Sequence, residues 1–313
     1  MARPGLRPVV VGTDGSADSR TALEWAACEA QRRHAKLRVV HAYVPPAPYV
    51  TFGYSAYEQE LQVPLRQARI LLDETADQVG AAHPRLSVDR ALVVGGPAGV
   101  LVDESHAASV VVVGARGQGG FAGLLGGSVA TQLAAHAHSP VVVVRHGGED
   151  PEETSGTGLP AGVAIPDGSV VVGVDGSEQS TTALGFAFEL ASGRDLPLVA
   201  VYAWRGLPTA NLGPVTVWHY NPDDARNEAA RLLAEQLAGW SDTYPDVRVQ
   251  RLAVLSFNPA ETLLAIARTA TLLVVGTRGR GGFAGLLLGS VSHTLMQHAH
   301  VPVAVVHPNA PLT

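Results

Sequence analysis

Two stretches of this chain gather groups suited to holding an anion. Residues 111–129 read VVVGARGQGGFAGLLGGSV and residues 273–291 read LVVGTRGRGGFAGLLLGSV, so Gly114-x2-Gly117-x9-Gly127-Ser128 returns as Gly276-x2-Gly279-x9-Gly289-Ser290. Glycine permits positive φ and close backbone approach, which lets main-chain N–H groups converge on a negative charge. Each run follows an apolar β-branched stretch and precedes a helical pattern opening near Ser128 or Ser290. A helix start adds unpaired amides and the positive end of a dipole. The chemistry this predicts is the cradling of phosphates, with the Ser128 and Ser290 hydroxyls as further donors. Serine acting only as an N-cap beside a mobile glycine turn is the plainer explanation, and two copies at the same spacing weigh against it.

A second pair of segments, Gly12-Thr13-Asp14-Gly15-Ser16 and Gly173-Val174-Asp175-Gly176-Ser177, also follows apolar runs. Asp14 and Asp175 are expected to face the same crevice as the glycine loops. A carboxylate repels bare phosphate, so it suits a ribose hydroxyl, an amide, or a nucleotide-bound divalent ion such as Mg2+. An acidic residue placed at a helix start for the sake of the dipole is an equal alternative.

The elements that must position these residues come from a duplication. VVVGTDGS at 9–16 returns as VVVGVDGS at 170–177, and HAHSPVVVV at 136–144 as HAHVPVAVV at 298–306. The expected organisation is a domain over 1–146, a linker rich in Gly, Pro and acidic residues over 147–168, and a second domain over 169–309. Within each copy short β-branched runs alternate with longer helical patterns, the signature of a parallel α/β sheet. In the first copy strands are predicted at 9–13, 37–42, 86–93, 110–114 and 140–145, in the order 3-2-1-4-5. Ala22, Leu23, Ala26, Ala27 and Ala30 form an apolar stripe at helical spacing, repeated by Ala183, Leu184, Ala187 and Ala191. The third strand alternates and should be a half-exposed edge, whereas the first and fourth are apolar throughout and belong in the centre. Ligands of such sheets bind beyond the carboxyl ends of the strands where strand order reverses, here between strands one and four. The last strand is apolar although it lies at an edge, which invites association; the last strands of the two copies are expected to pair or pack together, and that seam to serve homodimer formation as well.

The combination of strand-Asp-Gly-Ser, G-x2-G-x9-G-S, helix and apolar last strand resembles the universal stress protein family in its tandem-domain form. The resemblance implies two Rossmann-like domains of the adenine nucleotide alpha hydrolase-like kind, each binding ATP, in a homodimer with a regulatory part in stress, dormancy or hypoxia. By position it places phosphate contacts on Gly114, Ala115, Arg116, Gly117, Gln118, Gly119 and Gly120 with Gly127, Ser128 and Val129. In the second copy they fall on Gly276, Thr277, Arg278, Gly279, Arg280, Gly281 and Gly282 with Gly289, Ser290, Val291 and Ser292. First-strand contacts fall on Gly12, Thr13 and Asp14, and on Gly173, Val174 and Asp175. Ala42 and Ala203, ending the second strands, meet the adenine through the backbone. The copies differ where Ser292 faces Ala130, and where Gly95-Gly96-Pro97 faces Ser256-Phe257-Asn258-Pro259. Unequal affinities are therefore expected.

Composition removes several other classes. Hydrophobic residues make up 46% of 313, enough for each half to bury a core, and a net charge of -6 without a basic run disfavours nucleic acid. No apolar stretch has the length of a signal peptide or a membrane span, so a cytoplasmic protein is expected. Cys28, the single cysteine, is expected to be buried among alanines. A Walker A loop needs a lysine, and Lys36, alone in the chain, lies far from any glycine loop. A dinucleotide fold needs an acidic residue ending strand two, where this chain has His41-Ala42-Tyr43 and Tyr202-Ala203-Trp204. The run Asp-Gly-Ser-Ala-Asp-Ser at 14–19 resembles an ATP pyrophosphatase loop only in the first copy. Arg116, Arg278 and Arg280 keep slow ATP hydrolysis as the alternative to binding alone, although no nucleophile with a partner accompanies them. His136, His138, His298 and His300 are read as helix-end residues, since side chains two apart on a helix diverge too far to share a metal. Trp204, Trp218 and Trp240 are read as packing residues.

Overall fold

A computed structural model describes residues 6–45, 54–118, 127–147, 163–204, 222–279, 287–308 and 310. The chain divides into two compact units after Gly147. In the first, β1 (Val9–Gly12), β2 (Leu37–Tyr43), β3 (Val88–Val94), β4 (Val110–Gly114) and β5 (Val141–Val144) alternate with α1 (Ala17–Arg32), α2 (Tyr54–Ala82), α3 (Pro97–Ser105) and α4 (Ser128–His136). In the second, β6 (Val170–Gly173), β7 (Leu198–Trp204), β8 (Val249–Leu255), β9 (Leu272–Gly276) and β10 (Val303–Val306) alternate with α5 (Glu178–Arg194), α6 (Pro222–Leu237), α7 (Trp240–Thr243), α8 (Pro259–Ile266) and α9 (Ser290–His298). Pairing within the first unit is parallel throughout and runs β3-β2-β1-β4-β5. The second runs β8-β7-β6-β9-β10 in the same sense.

The residues explain the order. Val9 to Val11 and Val110 to Val112 are wholly buried, as strands covered by helices on both faces must be. β3 carries Arg90 and Val94 in the open and so takes the edge. Its alternation begins later than expected, at Val88 and not at residue 86, because the Leu86 amide closes a turn onto the His83 carbonyl at 2.9 Å. The Val247 amide does the same to Tyr244 ahead of β8. The apolar stripes of α1 and α5 are buried as predicted, with α1 lying over β1, β4 and β5 and α5 over their counterparts. Cys28 is a correction: it lies on the outer side of α1, exposed, with its thiol 3.7 Å from Glu24 Oε1 four residues earlier. The alanines around it occupy the inner face, and a four-residue step from exposed Glu24 returns to the outer one.

What matters for a site is where β1 and β4 end. They are neighbours, paired from Val9–Val110 to Val11–Val112, and the chain leaves their carboxyl ends at Gly12 and Gly114. The gap between those exits is the crevice, and β6 with β9 builds the same gap in the second unit.

Candidate functional site

Each glycine loop hangs from a closed neck. Beyond β4 the Ala115 amide donates to the Val144 carbonyl at 2.8 Å, and the Gly127 amide returns to the Ala115 carbonyl at 2.9 Å. Thr277 repeats this with Val306 at 3.2 Å, and Gly289 with Thr277 at 2.8 Å. Arg116, Gly117 and Gln118 start the first loop and Arg278 and Gly279 the second; Gly119, Gly120, Arg280, Gly281 and Gly282 lie outside the described residues. The helix follows the neck at once. Its N-cap is Gly127 or Gly289, so Ser128 and Ser290 are first helical residues and not caps. Both are exposed, and neither hydroxyl has a partner among the described residues. The first intrahelical bonds are donated by Thr131 to Gly127 and by His293 to Gly289. Among the described residues the amides of Ser128, Val129 and Ala130, and of Ser290, Val291 and Ser292, have no partner, as befits the first-turn donors of a helix.

The motif glycines are needed for a different reason from the one the sequence suggests. Among the described residues of the two crevices, positive φ belongs to Gly15 (80°) and Gly176 (77°), in the Asp-Gly-Ser turns. Gly114, Gly117 and Gly127 are required by contact. A Cβ on Gly117 would lie 2.5 Å from Asp14 Oδ2, and one on Gly127 would lie 2.9 Å from the Ala115 carbonyl oxygen. On Gly114 it would lie 2.8 Å from the Asp18 carbonyl carbon. Gly279 meets the Asp175 carboxylate as Gly117 meets that of Asp14.

Asp14 is a link between the two segments. Its Oδ1 accepts the Ser16 amide at 3.0 Å, an Asx turn, and its Oδ2 accepts the Gln118 amide at 2.8 Å. The N-cap of α1 is Ser16, which accepts the Ser19 amide at 3.2 Å, so Asp14 stands ahead of the helix and not in its first turn. Burial opposes ionisation of Asp14, but hydrogen bonds from Ser16, from the Gln118 amide and from Ser19 together outweigh it and hold the carboxyl below its usual range. A depressed carboxyl stabilises the fold above its unfolded pKa, and that contribution disappears as pH falls through the lower, folded value. Asp14→Asn is therefore expected to flatten the acid limb of the stability curve below the ordinary value of 3.8, measured as the denaturant midpoint against pH. In the second unit Asp175 accepts the Ser177 amide at 3.0 Å and the Ser177 hydroxyl at 2.6 Å.

The remaining predicted positions divide. Thr13, Val174, Ala115 and Thr277 are buried along the crevice floor. Ala42 and Ala203 are next to last in β2 and β7, which run one residue further, to Tyr43 and Trp204; they stand in register with Val93 and Val254 and are partly exposed. The Ser292 hydroxyl does not serve the crevice: it is buried and donates toward the carbonyls of Thr277 (2.9 Å) and Gly289 (3.0 Å), bracing the neck. Any anion contact by Ser292 falls to its amide. Sequence reasoning missed His41, whose Nδ1 bonds the Thr13 carbonyl at 2.7 Å. It also missed Tyr202, which lines a hollow with Val174, Asp175, Gly176, Leu232 and Gln236. Arg145 was missed as well; burial and then nearby Arg116 lower its pKa while Asp18 opposes them. Pattern could not find these residues, since each lies outside the motifs and meets them only through the fold. His136 and His298 end their helices. Trp240 packs against Phe188 at 5.8 Å, and Trp218 lies outside the described residues.

Comparison with known proteins agrees with this architecture. The universal stress protein family matches twice, over residues 5–145 and 168–307. Universal stress protein Rv1996 of Mycobacterium tuberculosis is 40% identical over 95% of this chain and 94% of its own length. A universal stress protein of Mycolicibacterium smegmatis is 39% identical over 96% and 97%. The crystal structure of a universal stress protein from Archaeoglobus fulgidus superposes with a TM-score of 0.65 at 20% identity, covering 96% of both chains, which speaks to fold alone. With two family matches, each spanning a five-stranded parallel unit with the same glycine-necked loop, the chain belongs to the universal stress protein family in its two-repeat form.

Proposed function

We propose that each unit binds ATP in its crevice, and that the protein acts as a nucleotide-holding regulator in a stress or dormancy response. The observation that carries this is the pair of helix first turns, Ser128 to Ala130 and Ser290 to Ser292, whose amides have no partner among the described residues, set beside a closed glycine neck at the reversal of strand order. Such a turn is an anion site by geometry and by dipole. Arg116 and Arg278, exposed at the start of the loops, add positive charge. Asp14 and Asp175 are the carboxylates available to a nucleotide-bound Mg2+, and in the first unit such use would compete with the Gln118 amide.

Holding is favoured over turnover because Asp14, which meets the Gln118 amide of the first loop, is committed to two amides and depressed in pKa, both of which make it a poor general base. We further propose a cytoplasmic homodimer, to be checked by light scattering; among the described residues no helix is long and apolar enough to cross a membrane. The test of the central reading is titration of the purified protein with ATP, ADP and AMP, together with mass spectrometry of the heat-released supernatant. Tight ATP without phosphate release is the expected result. Absence of nucleotide in both experiments would overturn it, and phosphate release abolished by Arg278→Ala would convert it to slow hydrolysis.

A further inference from the structure

Asp18 stands in the first turn of α1, where an acidic side chain commonly does no more than face the helix dipole. Here the residue is 8% exposed and its carboxylate is engaged elsewhere. Oδ2 accepts the Arg116 amide at 2.8 Å, and Oδ1 accepts the His146 amide at 2.9 Å. Arg116 lies just past β4 and His146 just past β5. One side chain thus ties the start of the glycine loop to the exit of the neighbouring strand. A carboxylate suits this task because both its oxygens accept.

The second unit differs at each of these points. Gln179 takes the place of Asp18, as the contacts of a Cβ on Gly276 with Gln179 and of one on Gly114 with Asp18 make plain. Pro308 takes the place of His146 and has no amide to donate. His307 takes the place of Arg145, the cation that senses Asp18 in the first unit. Among the described residues no side chain accepts from the Arg278 amide. Where the second amide is missing, so is the carboxylate that would have served it.

We infer that Asp18 is a positioning residue for the phosphate side of the first crevice, anchoring Arg116 and the loop beyond it, and that the second crevice works without this anchor. The inference rests on the loops receiving nucleotide phosphates. A loop held in place before binding loses less freedom when the ligand arrives. Coulomb's law acts in the opposite direction, since removing a negative charge should by itself favour a polyphosphate. A weakening on neutralisation therefore identifies positioning and not charge.

The test is Asp18→Asn, which keeps the shape but turns an NH2 toward one of the two amides. Hydrogen-exchange mass spectrometry reads residues 114–130 and 276–292 separately during titrations with ATP and with adenosine. ATP protection of the first loop is expected to weaken roughly ten-fold, the scale of one lost hydrogen bond to a charged group, with adenosine unchanged and the second loop unaffected. Equal weakening of ATP and adenosine would mean that Asp18 merely supports the fold, and unchanged ATP affinity would mean that it does not position the loop; either overturns the inference. A second measurement needs no variant and no nucleotide: in the wild-type protein the Arg116 amide is expected to exchange more slowly than that of Arg278. Equal rates would overturn the anchor even if ATP binds, whereas slow Arg116 exchange in a protein that binds no nucleotide would leave the anchor standing and remove the nucleotide reading.

Discussion

Replacing Gly117 by alanine is expected to weaken ATP binding in the first crevice by roughly ten- to a hundred-fold while the fold survives, the range that follows from losing about 1.5–3 kcal/mol of a hydrogen bond to a charged group. The new Cβ would lie 2.5 Å from Asp14 Oδ2. A carboxylate tip can usually swing aside, but this one is pinned by the Ser16 amide on one oxygen and the Gln118 amide on the other. Moving it releases Gln118 and with it the start of the loop. Gly117 itself is exposed, so no core packing is disturbed. Gly279→Ala should act alike in the second crevice, where Asp175 is held by Ser177. Isothermal titration of both single variants and the double variant, beside denaturant unfolding of each, checks the expectation. Unchanged ATP affinity in the double variant would remove the loops from the site.

Gly114→Ala has the opposite profile, a loss of stability of about 2–3 kcal/mol from forced overpacking. Its Cβ would lie 2.8 Å from the Asp18 carbonyl carbon and 2.9 Å from the Ser19 amide nitrogen. These are backbone atoms in the first turn of a helix whose inner face is buried on β1 and β4, so relief requires moving the helix. Gly276→Ala should cost less, about 1 kcal/mol, because its nearest neighbours are Gln179 Cβ at 3.0 Å and backbone at 3.1 Å. The denaturant midpoint should fall at constant slope in both, and further in the first. A larger loss for Gly276→Ala would mean that the close approach of α1 to β4 does not set the cost.

These two glycines separate roles that one motif merges. Gly114 lets a helix lie on the strand end, and Gly117 lets a carboxylate lie on the loop. The requirement is absence of a side chain, not backbone freedom, in both. Among the described residues of the crevices, positive φ is needed at Gly15 and Gly176, where a one-residue reversal carries the chain from strand to helix. A pattern of spaced glycines does not distinguish these cases, because what each Cβ would strike lies distant in sequence: Asp14 is 103 positions from Gly117.

By itself the sequence determined the duplication, the strand and helix content, the sheet order and the place of the crevice. Those properties follow from periodicity and from the runs Val9–Val11 and Val110–Val113, which only a covered central strand can bury. It missed the exposed side of Cys28 and the late start of β3, both settled by single turns of backbone. Only the tertiary structure decided that Ser128 and Ser290 follow the caps, that Ser292 braces the neck, and that Asp14, Asp18 and His41 knit the crevice walls together. Hydrogen bonds of that kind join atoms brought within 3 Å by folding from positions up to 128 residues apart, and nothing local in the chain records them.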